Sequence, residues 1–227
     1  MRSKRRWESA RTLEELQDLL LEEPDLFAVR IPPLDTAWSD VALAFIDVET
    51  TGLRAEEGDR IVEMAIERVE AGGGSERFVE IIDPGREIPE EARRIHSIGT
   101  AQVRHARTFR SAAGEIMRLL RGAVWVGHNV AFDLRFIRLE MRRCGMELPA
   151  GWILDTLPLA QRWCPLPSVR LAAVAERLGH GGRNLHQALD DILTTREVLA
   201  SLVERITPPP QTLRDALEAM VPAKEEA

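Results

Sequence analysis

The sequence predicts an α/β protein, a mixed five-stranded sheet flanked by helices, and three observations point to it. Val41-Ala42-Leu43-Ala44-Phe45-Ile46 is an unbroken apolar run of strand length, as expected for a central strand buried on both faces. Two more strand-like segments, Ile61 to Glu70 and Glu76 to Asp83, are separated by Ala71-Gly72-Gly73-Gly74-Ser75, which reads as a hairpin loop. The sheet should therefore start as a three-stranded antiparallel meander. Beyond Glu90, helical periodicity alternates with short apolar strands.

Taken in order, residues 1 to 40 read as a helical extension and linker. Thr12-Leu13-Glu14-Glu15 is a capping box, Leu13, Leu16 and Leu20 share a helical face, and Pro24 ends the segment. Ile31-Pro32-Pro33-Leu34 is expected to be extended. The main domain, residues 41–207, follows the linker. After the meander come helices at Glu90 to His96 and Ser111 to Arg121, then a buried strand at Ala123-Val124-Trp125-Val126. Asn129 is expected to cap a helix running to Cys144, with Gly145 as its stop. Ile153-Leu154 is the last short strand, followed by helices near Leu157 to Trp163, Val169 to Leu178 and Ala188 to Ile206. Pro208-Pro209-Pro210 opens a C-terminal segment, residues 208–227, in which Thr212-Leu213-Arg214-Asp215 caps a short helix.

Hydrophobic content of 44% and charged content of 30% are those of an ordinary globular protein. The basic start Met1-Arg2-Ser3-Lys4-Arg5-Arg6 runs into Trp7-Glu8-Ser9 where a leader would need an apolar run, and no apolar stretch reaches membrane-spanning length. The expectation is a cytoplasmic protein with no membrane partner. Cys144 and Cys164 make neither a metal spacing nor a framework of bridges and are expected to be reduced thiols. A net charge of −7 does not exclude nucleic acid, because metal ions turn an acidic pocket into an anion site. From Ala92 to Gly114 the chain carries Arg93, Arg94, Arg104, Arg107, Arg110, His96 and His105 and no acid. Either part of that run touches phosphates or it is a solvated basic face.

Three separated segments place acids in apolar surroundings. In Asp47-Val48-Glu49-Thr50-Thr51-Gly52 the two carboxylates lie two apart on a strand and so project together, while Ile46 and Val48 face the other layer. Alone, this pair would also fit an exposed strand end. In His128-Asn129-Val130-Ala131-Phe132-Asp133 the acid falls in a first helical turn, beside the buried stripe; on its own it could simply favour the helix dipole. In His186-Gln187-Ala188-Leu189-Asp190-Asp191 the periodicity turns Asp191 toward the core with Ala188, Thr195, Val198 and Leu202. Asp190, Thr194, Glu197 and Ser201 take the solvent face. Five residues on an ideal helix rotate about 140° past a full turn, so His186 should sit in the loop before the helix. Clustered buried carboxylates repel one another unless a hard cation neutralises them.

The ordered set D-x-E-T-T-G, H-N-x-x-F-D and H-x-A-x-x-D, with Ile61-Val62-Glu63, Leu154-Asp155-Thr156-Leu157 and Ile95-His96 as softer features, resembles the DEDDh (DnaQ-like) 3′-to-5′ exonucleases, the superfamily of the proofreading epsilon subunit of bacterial DNA polymerase III. The likeness covers residues 42 to about 206 and implies a ribonuclease-H-like fold. It also implies Asp47, Glu49, Asp133 and Asp191 as ligands of two divalent ions, Mg²⁺ or Mn²⁺, with His186 as general base. One ion would activate water and the other stabilise the leaving 3′ oxygen. An imidazole of ordinary pKa about 6.5 suits the proton transfer. By the same resemblance Thr50, Leu53, His96, Asn129 and Phe132 would line the pocket for terminal nucleotides. Single-stranded DNA 3′ ends would be the substrate, nucleoside 5′-monophosphates the product, and a DNA polymerase subunit a partner. His96-Ser97-Ile98-Gly99 departs from the more usual H-G-I-T. An exoribonuclease of the oligoribonuclease or ribonuclease T type is the alternative enzyme, and an inactive nucleic-acid-binding subunit the alternative of another class. Thr50 argues against the first, where the oligoribonuclease pattern has Met, and the intact acid set argues against the second.

Overall fold

The apolar run after Val41 forms β1 (Leu43–Thr50), the centre of the sheet, hydrogen-bonded to an antiparallel neighbour on one side and a parallel one on the other. The structure, a computed structural model, describes residues 31–183 and 186–221. The helix expected from Thr12 to Pro24 lies outside the described residues. β2 (Ile61–Val69) and β3 (Ser75–Asp83) complete the expected meander. A two-residue strand β4 (Arg107–Thr108), then β5 (Val124–Gly127) and β6 (Ile153–Asp155), give a six-stranded sheet in the order β4-β3-β2-β1-β5-β6. The expected count of five omits β4, because two exposed residues added parallel to the end of β3 leave no periodicity to read. β2 alone runs against the other strands, so the carboxyl ends of β1, β3, β5 and β6 share one edge.

Alternation along β1 divides the interior into two layers. Ala44, Ile46 and Val48 pack with Phe109, Ile116 and Leu120 of α3 (Phe109–Leu120) and Phe136 and Ile137 of α4 (Ala131–Arg143). Phe45 faces the opposite layer, which holds α5 (Thr156–Trp163), α6 (Leu171–Leu178) and α7 (Ala188–Val203). Two short helices, α1 (Glu90–His96) and α2 (Thr100–Val103), follow β3 and bury Ala92, Ile98 and Val103 against Val62. The helix expected from Ser111 starts two residues earlier because Thr108, not Ser111, supplies the cap, accepting the Ser111 N–H. Ser97, which ends α1, has φ +62, a left-handed conformation for which glycine is the easier choice.

Two expectations are corrected. Asn129 does not cap α4: its own φ is +66, its backbone N–H donates to Asp155 Oδ1 at 2.8 Å, and the helix begins two residues later at Ala131. A left-handed residue cannot aim its side chain along a helix start, so the tertiary bond to Asp155 overrides local capping. Gly145 does stop the helix, at φ +76. The supposed solvent face of α7 is also covered. Thr194 is buried and donates to the Asp190 carbonyl, Ser201 bonds His180 Nε2, and Glu197 binds Arg183, since α6 and the chain after it lie over that side.

The described parts of the segments flanking residues 41–207, residues 31–40 and 208–221, pack on the domain instead of running free as linkers. Ala37 bridges Thr212, the Trp38 N–H donates to Gln211, and Leu213 and Arg214 donate to the Thr36 and Leu34 carbonyls. α8 (Leu213–Glu218), capped by Thr212 and Asp215 as expected, buries Leu213, Ala216 and Leu217 in the same cluster as Leu34. A chain cut to residues 41–207 would therefore expose Leu34, Leu213 and Leu217 partners that contribute about 1.5–3 kcal/mol each, against a total stability of roughly 5–15 kcal/mol. A melting temperature lowered by 10 °C or more, by circular dichroism, is the expected result; no change would restore the linker reading. Among the described residues no helix is long and apolar enough to cross a membrane.

Candidate active site

At the carboxyl end of β1, Asp47 and Glu49 project from the face opposite Ile46 and Val48, as strand alternation requires. Burial, with repulsion from Asp133, Asp191, Glu49 and Glu63, pushes the Asp47 carboxyl well above the usual carboxylate range. Burial, reinforced by Asp191 and Glu63, pushes Glu49 up to about 8. Glu63 stands directly opposite Glu49 in the β1–β2 register, and its Oε2 accepts the Ala188 N–H at 3.0 Å at the start of α7. It thus ties β2 to the helix that carries the third segment. Only the register reveals this role, although an acid inside Ile61-Val62-Glu63-Met64-Ala65-Ile66 is a visible signal.

Asp133 reaches the same place from the other layer. Its Oδ1 accepts the Val48 N–H at 3.0 Å, and the carboxyl is buried and raised by that burial. The turn leading into α4 is set by Asp155 at the end of β6, whose carboxylate accepts the N–H groups of Asn129, Val130 and Leu157 at 2.8, 3.1 and 2.9 Å. His128 is held on both ring nitrogens, by Thr156 Oγ1 at 2.8 Å and the Val169 carbonyl at 2.7 Å. Burial lowers its pKa, and because the Val169 carbonyl can only accept, Nε2 donates to it. Both residues position α4.

His186 lies in the turn just before α7, exposed and with φ +73, as its rotation relative to Asp191 requires. Its N–H donates to Asp191 Oδ2 at 3.1 Å. Asp191 is buried, with its pKa raised to about 6 chiefly by burial, whereas Asp190 is half-buried. Ligand atoms of Glu49, His186 and Asp191 all lie within 4.8 Å of one another. Asp47 and Asp133 fall outside that tight set but within electrostatic reach of it. Asp191 Oδ1 is buried with no hydrogen-bond partner among the described residues. An orphaned carboxylate oxygen among mutually repelling acids fits a hard divalent cation.

Because these carboxyls are raised, the folded chain without metal holds protons that the unfolded chain releases. For Glu49 that destabilisation is absent below the ordinary value of 4.5, grows as pH rises, and is complete above about 8. Metal-free protein is thus expected to melt at lower temperature as pH rises across that window. Mg²⁺ or Mn²⁺, which competes with those protons, should raise the melting temperature more at pH 8 than at pH 5. Equal increments at both pH values, by scanning fluorimetry, would count against a carboxylate metal site.

The residues expected to line a nucleotide pocket are placed unevenly. Leu53 is 72% exposed just beyond β1, and Asn129 is exposed at the end of β5. Thr50 is buried, its hydroxyl donating to the Gly52 carbonyl at 2.6 Å. Phe132 is half-buried, its ring centroid 5.0 Å from that of Phe136. His96 is buried, its Nε2 without a hydrogen-bond partner among the described residues and its Nδ1 accepting the Ile98 N–H at 3.0 Å, and burial lowers its pKa. Most of the basic run is paired internally: Arg93 and Arg94 with Glu90, Arg107 with Glu80 and Glu115, and Arg110 with the carbonyls of Arg143 and Cys144. Arg104 and His105 are exposed.

Comparison with known proteins agrees with the fold. A family model described as exonuclease matches residues 44–199. The 3′-5′ exonuclease DinG of Bacillus subtilis is 33% identical over 162 residues, 71% of this chain but 17% of that relative. DNA polymerase III PolC-type of Thermotoga maritima is 32% identical over 75% of this chain and 12% of its own length, so the chain matches only a minor part of these long relatives. DNA polymerase III subunit epsilon of Treponema pallidum is 31% identical over 166 residues, 72% of this chain and 77% of its own. In fold, E. coli exonuclease I in complex with a dT13 oligonucleotide superposes with a TM-score of 0.63 at 23% identity, covering 74% of this chain and 42% of that one. Exonuclease X in complex with 5′ overhanging duplex DNA gives 0.62 at 23% identity, covering 78% and 99%. The edge on which Asp47, Glu49, Asp133, His186 and Asp191 gather thus sits in a ribonuclease-H-like sheet, and the chain belongs to the exonuclease family, a nuclease of the DEDDh (DnaQ-like) superfamily.

Proposed function

We propose that the chain is a metal-dependent 3′-to-5′ exonuclease that hydrolyses the terminal phosphodiester of single-stranded or frayed DNA and releases nucleoside 5′-monophosphates. The gathering of Glu49, His186 and Asp191 within 4.8 Å is the observation that carries it. Asp47, Glu49, Asp133 and Asp191 would hold two divalent ions, Mg²⁺ or Mn²⁺. When bound, such ions supply positive charge for the attacking and leaving oxygens of an in-line displacement. His186, exposed on its left-handed turn, takes the proton of the attacking water as the new P–O bond forms and the bond to the 3′ oxygen breaks. Asp191 holds that turn through the His186 N–H. Leu53, Phe132, Asn129, Thr50 and His96 would surround the terminal nucleotide, Leu53 offering an apolar surface to a base.

DNA is favoured by the neighbours named as binding a dT13 oligonucleotide and an overhanging duplex, and a DNA polymerase subunit is the proposed partner because the epsilon relative is matched over 77% of its length. The test compares 3′-digestion of end-labelled substrates with and without Mg²⁺. A single-stranded DNA end should be degraded fastest, a mismatched end more slowly and a blunt paired end slowest, because the last nucleotide must leave its partner to reach the acids. Equal rates on the three ends would exclude the unpaired-end reading, and RNA degraded faster than DNA would favour an exoribonuclease.

A further inference from the structure

Leu53 lies four residues beyond Glu49 and is 72% exposed, so burial cannot hold it in place. The turn that carries it is held by Asp59 instead. Asp59 Oδ1 accepts from Thr51 Oγ1 at 3.0 Å and from Arg86 Nη1 at 3.1 Å, and Oδ2 accepts the Arg54 N–H at 3.0 Å. The Asp59 N–H in turn donates to the Arg54 carbonyl at 3.2 Å. Thr51 Oγ1 also accepts the Arg60 N–H at 3.0 Å, and the Thr51 N–H donates to the Arg60 carbonyl at 2.8 Å, so the turn is fastened on both sides. Gly52 sits directly on the carboxylate, where a Cβ would come within 2.4 Å of Oδ2. Arg86 closes the arrangement by donating to the Gly58 carbonyl at 2.5 Å.

The bonds on Thr51 and on Arg54 bracket Leu53, and Asp59 takes part on both sides. The Arg86–Asp59 pair is partly exposed and adds little to global stability, whereas bonds from N–H and O–H donors to a carboxylate are strong local constraints. We propose that Asp59 is a positioning residue that fixes the Leu53 turn in advance of substrate and so sets how tightly the enzyme holds the terminal base. A fixed turn loses less entropy on binding than a loose one, which lowers KM without touching the bond-breaking step. The inference rests on the exonuclease reading and extends it to a residue outside the acid cluster.

The experiment measures KM and kcat on a single-stranded DNA oligonucleotide for Asp59→Ala, Leu53→Ala and the double variant. Asp59→Ala should raise KM about tenfold and leave kcat within about twofold, as loss of pre-organisation requires. Leu53→Ala should raise KM similarly, and the double variant should be no worse than the weaker-binding single one, since both remove the same contact. Multiplying KM effects, or a fall in kcat at constant KM, would overturn the Asp59 proposal while leaving the exonuclease reading intact. A parent enzyme inactive on every oligonucleotide would overturn both. Should Asp59→Ala fail to fold, Arg86→Ala keeps the carboxylate and removes one of its donors; about a threefold rise in KM is expected, and an unchanged KM overturns the proposal.

Discussion

Asp191→Ala is expected to lower the rate of 3′-end hydrolysis by roughly 10³-fold, the equivalent of about 4 kcal/mol of lost charge stabilisation, while Asp190→Ala stays within about twofold. The two acids are adjacent in sequence but differ in setting. Asp191 is buried and its Oδ1 has no partner among the described residues, whereas Asp190 is half-buried and enters the hydrogen bonding through its backbone carbonyl. Asp191 also accepts the His186 N–H, so alanine removes a proposed ligand and a positioning contact together. Asp191→Asn separates them, because the amide oxygen can still accept that N–H but carries no charge. An inactive Asn variant with unchanged fold assigns the loss to charge; an active one would make Asp191 a positioning residue.

His186→Ala should retain metal binding, read by the metal-induced rise in melting temperature, and lose 10²- to 10⁴-fold in kcat, the range of a positioned general base. Its pH profile is the more discriminating observation. At saturating Mg²⁺ the carboxyls are held deprotonated, so the acid-side fall in rate of the parent enzyme reports the base, and it should flatten in the variant. A profile of unchanged shape would point to another group. Should the variant instead lose its metal-induced stabilisation, His186 acts as a ligand, a role its place within 4.8 Å of Glu49 and Asp191 also permits.

What could be read in the chain followed how local the signal was. Strand alternation put Asp47 and Glu49 on one side, and helical periodicity turned Asp191 inward and left His186 before the helix; both rest on geometry within a few residues. Glu63, Asp155 and Asp59 were not assigned work because each acts on backbone groups brought close by pairing or packing: Glu63 on Ala188, Asp155 on Asn129 and Val130, Asp59 on Arg54. Asn129 misled for the same reason, its local preference for a cap yielding to a bond from another strand. Thr194, Glu197 and Ser201 looked like a wet helix face because they are polar, yet polar residues are also what a second polar layer pairs with, here His180 and Arg183.

The bridge between Ala37 and Thr212 has a topological consequence. The segment before β1 and the segment before α8 lie side by side, about 5 Å apart across one rung of antiparallel backbone pairing. The rung acts as a clasp: separating the two segments would first break the Ala37–Thr212 pairing and the bonds from the Leu213 and Arg214 N–H groups to the Thr36 and Leu34 carbonyls.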